Sequence, residues 1–160
     1  MNSFKKMTPI PDPIPLTQEE FDKRKAEKKK LLLTQDEVIK RLQVAREMGD
    51  LSENGAYHAA KHELGNTRRQ LGSINHILKY AYIPRITGSQ KIGFGSKVIL
   101  SNDKKDLEFT LVSQYESNPL QKKMSMESPI GKAILGKKVY DKICVSTPNG
   151  EIKYLIKKVD

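Results

Sequence analysis

The sequence predicts an α+β protein: a long antiparallel two-helix coiled coil over residues 17–83, then a small, mostly antiparallel sheet domain with one short helix over residues 96–160. Three observations predict it. No proline interrupts the chain between Pro15 and Pro84, so a helix can run through most of that stretch. Apolar residues in its second half recur at alternating steps of three and four, the period of a coiled-coil seam. Beyond Pro84 the texture changes to glycines and short β-branched runs bounded by turn residues.

Residues 1–16 carry prolines at positions 9, 11, 13 and 15, the composition of an extended, weakly ordered arm. Thr17 then stands as an N-cap, with Glu20 at the capping-box position. The first helix is expected over Gln18–Met48, about 45 Å long at 1.5 Å per residue. Its seam is Phe21, Arg24, Lys28, Leu31, Gln35, Val38, Leu42 and Ala45, sound near Ala45 and diluted by the polar members. Leu32, Leu33 and Ile39 fall beside it. The second seam is the clearest pattern in the chain: Tyr57, Ala60, Leu64, Thr67, Leu71, Ile74, Leu78 and Ala81. Between the seams lies a tip at residues 49–55, with Gly49 to stop one helix and Gly55 to admit the next. Helices joined by so short a turn run antiparallel.

Residues 84–95, with Pro84, Gly88, Gly93 and Gly95, read as a linker. Strands are expected at Lys97–Leu100, Leu107–Ser113, Lys122–Met126, Ile143–Thr147 and Ile152–Val159. Pro148-Asn149-Gly150 joins the last two as a hairpin turn. Ser128 caps a short helix that Pro129 opens and Gly136 closes after Leu135. Cys144, inside a strand, reads as a small buried apolar group.

Composition excludes several classes. No apolar run approaches the roughly 20 residues needed to span a bilayer, and the N-terminus lacks the apolar stretch of a secretory signal, so cytoplasm is the expected compartment. One cysteine excludes an internal disulfide, and with three scattered histidines it leaves no Cys/His zinc set. His58 and His62 share a helical face, but no third ligand accompanies them. The formal net charge of +10 favours polyanionic surroundings, either nucleic acid or an acidic protein surface.

Asp50 and Glu53 flank Ser52 at the tip. Spaced three apart, their carboxylates can lie on one side of a helix-like turn. The spacing admits two readings: a pair of ordinary helix caps, or two oxygen ligands for a magnesium ion whose shell is completed by another molecule. Arg46, Lys61, Arg68 and Arg69, with Lys40 and Arg41, form basic flanks that could offset phosphate repulsion. Adjacent residues Arg68 and Arg69 cannot both face one groove.

Arg46-Glu47-Met48-Gly49-Asp50-Leu51-Ser52-Glu53-Asn54, followed by Tyr57-His58-Ala59-Ala60-Lys61, resembles the signature of the Gre-type bacterial transcript cleavage factors (GreA-like). Ser128-Pro129-Ile130-Gly131-Lys132-Ala133-Ile134-Leu135-Gly136-Lys137-Lys138, then Thr147-Pro148-Asn149-Gly150-Glu151, resembles that family's second signature. The similarity covers residues 17–160. It implies a coiled coil followed by an FKBP-like domain, in a monomer that is not itself an enzyme. It implies bacterial RNA polymerase as partner, the C-terminal domain docking at the rim of the secondary channel through Ser128 and Pro129. The tip carboxylates Asp50 and Glu53 would help hold the second catalytic Mg ion, shared with the polymerase and not bound tightly by this chain alone. Arg46 and Lys61 match basic positions near the RNA 3′ end. The implied function is stimulation of the polymerase's cleavage of backtracked RNA. The chain departs from the family at Gly55-Ala56, where Ala-Glu is common. That missing carboxylate keeps a second role in view, a channel-binding regulator that does not cleave.

Overall fold

The structure is a computed structural model that describes residues 11–48, 50–51, 53–85, 91–102, 105–147 and 150–160. It divides into two compact units, one holding Glu19–Ala81 and the other Ile14–Gln18 together with Tyr82–Asp160.

The first unit is the expected antiparallel pair, α1 (Gln18–Glu47) and α2 (Gly55–Tyr80). Burial follows the two seams. Every seam position of α1 from Phe21 to Ala45 is buried or half-buried, Val38 and Ala45 fully. On α2, Ala60, Leu64, Thr67, Leu71 and Ile74 are all buried. The last turn departs from the strict heptad. Ile77, at 5% exposure, takes the inward place, and Leu78 is only half-buried. Thr67 tolerates its buried seam position because its hydroxyl donates to the Glu63 carbonyl at 3.0 Å.

Arg41 on α1 meets Glu63 on α2 at 2.7 Å, and the carboxylate holds the guanidinium proton more firmly still. Both side chains are largely exposed, so the pair orients the helices more than it stabilises them. No helix among the described residues is long and apolar enough to cross a membrane.

Two short strands, β1 (Ile14–Pro15) and β2 (Ala81–Tyr82), lie at the ends of the helical segments. Within the stretch read as the arm, residues 14–16 are held in place. Ile14 and Leu16 are buried, Leu16 completely, and the Leu16 N–H donates to the Tyr82 carbonyl at 3.0 Å. Thr17, next in the chain, gives its N–H and its hydroxyl to the two carboxylate oxygens of Glu116, each at 2.8 Å. Glu116 is only 5% exposed.

The sheet contains β3 (Lys97–Ser101), β4 (Asp106–Val112), β5 (Lys123–Ser125), β6 (Lys142–Thr147) and β7 (Gly150–Val159), in the order β5-β4-β3-β7-β6. All neighbours are antiparallel except β4 and β5, which run parallel. Alternation sends Val98, Leu100, Phe109, Leu111, Ile143, Val145, Tyr154 and Ile156 to one face, where Ile134 of the short helix α3 (Pro129–Ile134) completes the core. The same alternation corrects the reading of Cys144. With Ile143 and Val145 inside, Cys144 lies exposed on the outer face. Its Sγ stands 3.4 Å from the Glu151 carboxylate, and that bond pushes the thiol pKa up. Thr147 pairs with Gly150 across the β6–β7 hairpin. Gly150 has φ +111°, and Pro148 and Asn149 of the expected turn lie outside the described residues.

Candidate functional site at the hairpin turn

The end of α1 and the start of α2 are tied by Asn54. Its backbone is extended (φ −82°, ψ 91°) and its Oδ1 accepts from the Tyr57 N–H at 3.0 Å, which caps α2. Its Nδ2 donates at 2.7 Å to the Ala45 carbonyl in the last turn of α1, which also accepts the Met48 N–H at 3.3 Å. One amide side chain thus bonds to both helix ends.

Asp50 and Glu53 stand in the turn that this tie closes, and both are exposed. The N-cap of α2 is Asn54, so the capping reading places neither carboxylate at that position. Gly49 and Ser52 lie outside the described residues. As a donor set, two exposed carboxylates suit a hard cation such as Mg²⁺, which takes one or two protein carboxylates and fills its shell with water or phosphate. Among the described residues no group of three or more His, Cys, Asp or Glu side chains could hold a metal.

The basic residues separate into different surfaces. His58, Lys61, His62, Gly65 and Arg69 line one shallow groove on α2. Gly65 leaves a notch there, since a Cβ at that position would meet nothing within 4 Å. Lys61 Nζ lies 5.9 Å from the centre of the Tyr57 ring, and Arg69 is held by the Asn66 side-chain oxygen. Arg46 and Arg68 are exposed but lie outside this groove. Of the four basic candidates, the structure brings together Lys61 and Arg69.

A second surface beside the turn was not evident from the seams. Val44, Ala45, Met48, Ala56 and Ala59 line an apolar cleft between the helices. Val44 is 57% and Met48 73% exposed. The signal was present in the sequence: both are apolar residues lying off the seam, next to the acidic tip.

At the other proposed contact, Ser128 caps α3. Its Oγ accepts from the Gly131 N–H at 3.0 Å and donates to the Ser125 carbonyl at 2.7 Å. Pro129, the first residue of α3, is exposed.

Comparison with known proteins gives a consistent answer along the chain. A model described as "Transcription elongation factor, N-terminal" matches residues 14–83, and one described as "Transcription elongation factor, GreA/GreB, C-term" matches residues 87–160. The transcription elongation factor GreA of Macrococcus caseolyticus is 39% identical over 140 residues, covering 85% of this chain and 89% of that protein. The GreA of Chlorobium phaeovibrioides is 38% identical over 154 residues, covering 92% and 97%. Among solved structures, GreA factor homolog 1 (Gfh1) of Thermus thermophilus is 28% identical with a TM-score of 0.45, covering 92% of this chain and 99% of that one. Matched over both its helical and its sheet unit, the chain belongs to the GreA/GreB family of transcription elongation factors.

Proposed function

We propose that this elongation factor stimulates RNA polymerase to cleave backtracked RNA, entering the secondary channel with its helical hairpin and presenting Asp50 and Glu53 to the active site. The observation that carries the reading is the pair of exposed carboxylates in a turn whose helix cap is a different residue, Asn54. Asp50 and Glu53 are the residues that would hold the magnesium ion shared with the polymerase. When bound, such an ion polarises a phosphoryl oxygen and stabilises the leaving group in phosphodiester hydrolysis. A carboxylate at either position could also orient an attacking water by accepting its hydrogen bond. Lys61 and Arg69, on one groove of α2, would neutralise the phosphates of an extruded RNA 3′ end. Two carboxylates leave most of a magnesium shell unfilled, so the chain alone would hydrolyse nothing. Ser128 and Pro129 would contribute to docking on the polymerase at the channel rim.

The test uses stalled, backtracked elongation complexes carrying labelled RNA, mixed with magnesium and with the wild type, Asp50→Asn or Glu53→Gln. RNA shortening that depends on the wild-type protein and is lost in both variants supports the reading. Slower nucleotide addition without shortening would replace it with the role of a non-cleaving channel regulator, to which Ala56, a position without a carboxylate, would then point. No effect on the polymerase would refute both.

A further inference from the structure

Tyr140 lies in the turn between α3 and β6 with φ +70°, a left-handed conformation that glycine adopts freely and a bulky residue only under strain. The surrounding backbone holds it there. The Tyr140 N–H donates to the Ile156 carbonyl at 2.7 Å, and the Ile156 N–H donates to the Asp141 carbonyl at 3.0 Å. The Asp141 carboxylate accepts from the Lys138 N–H at 2.8 Å, which closes the turn. Packing does not offset the strain, because the tyrosine is 77% exposed. Backbone strain of this kind gathers where a side chain serves something outside the fold. The neighbours are suggestive in kind: Lys137, Lys138 and Lys142 are all exposed, and Leu135 at the end of α3 is 49% exposed. An aromatic ring held on a stiff turn among cations is suited to an apolar notch with an acidic rim, since tyrosine is among the residues that dominate binding at protein interfaces.

We propose that Tyr140 anchors the C-terminal domain on RNA polymerase, its ring filling an apolar notch in an acidic face of that enzyme while Lys137, Lys138 and Lys142 meet the rim. The proposal rests on the reading above that the polymerase is the partner. It is tested by measuring the affinity of the full chain for polymerase elongation complexes, and its thermal unfolding, for wild type, Y140F, Y140N and Y140G. Glycine and asparagine accept the left-handed backbone, so Y140G and Y140N should unfold at the same or a higher temperature than wild type. Both should nonetheless bind about tenfold or more weakly, while Y140F, which keeps the ring, binds nearly as wild type does. Wild-type affinity in Y140G would overturn the proposal and leave the proposed function standing. A Y140G protein that loses both affinity and thermal stability would also overturn it, because the tyrosine would then serve the fold. Wild-type protein that does not bind polymerase would overturn both readings.

Discussion

Asn54 and Ala45 are joined by a 2.7 Å bond from the asparagine amide to the last-turn carbonyl of α1, and this side chain is also the cap of α2. Both helix ends beside the carboxylates therefore depend on one residue. Asn54→Ala should cost about 2 kcal/mol, combining a lost cap with a lost hydrogen bond. Asn54→Asp keeps the acceptor for the Tyr57 N–H but loses the donor to Ala45, and should cost about 1 kcal/mol. Denaturant unfolding ranks the two. In cleavage assays both should fall below wild type even where the protein is fully folded, because the turn carrying Asp50 and Glu53 is loosened.

Glu116 and Thr17 stand 99 positions apart in sequence and share two hydrogen bonds. Glu116→Ala removes the acceptor for two Thr17 donors in a part-buried place and should cost about 1–3 kcal/mol. Glu116→Gln retains one acceptor oxygen and turns an amide donor toward the other bond, so it should fall between Glu116→Ala and wild type. Equal unfolding midpoints for all three proteins would mean that the contact contributes nothing to the fold.

These two residues also mark where sequence reading ends. Heptad counting located nearly every inward residue of the hairpin, because burial on a two-helix seam is periodic and local. It misplaced the final turn, choosing Leu78 over Ile77, because the count stepped four residues from Ile74 where burial steps three. The strands were legible from β-branched runs, yet Cys144 was read as buried because residue type was weighed above its alternation with Ile143 and Val145. Asp50 and Glu53 were legible as candidates, but spacing alone could not tell that Asn54, and neither carboxylate, is the N-cap of α2. Glu116 gave no signal, since a bond across 99 residues leaves no local pattern. The exposed Val44 and Met48 were overlooked because they lie off the seam.

Acid should weaken the sheet domain through two carboxylates. A hydrogen bond from Ser101, and after it Lys157, holds the Asp106 pKa below the usual carboxylate value. Lys122 does the same for Glu108. A pKa lowered on folding contributes stability above the unfolded value, about 4 for these groups, which is lost as pH falls through the folded one. The unfolding midpoint should therefore drop as the pH falls below about 5. Both groups are exposed, so the drop attributable to them should be small and should shrink with added salt. Asp106→Asn combined with Glu108→Gln should flatten that part of the pH profile, and an unchanged profile would count against these pairs.

Lys61 and Arg69 share a groove that Arg68 does not line. Replacing Lys61 and Arg69 together by alanine should reduce stimulated cleavage and make what remains less sensitive to salt, since fewer phosphate contacts remain to be screened. Arg68→Ala should change neither. Equal effects from Arg68 and Arg69 would show that the groove does not guide RNA.

The most direct test is a magnesium titration of RNA cleavage in backtracked complexes, with wild type, Asp50→Asn and Glu53→Gln each at saturating protein. If Asp50 and Glu53 ligate the shared ion, wild-type protein lowers the magnesium needed for half-maximal cleavage, and each variant raises it again by about tenfold or more. Titration curves that superimpose for the three proteins would contradict the account.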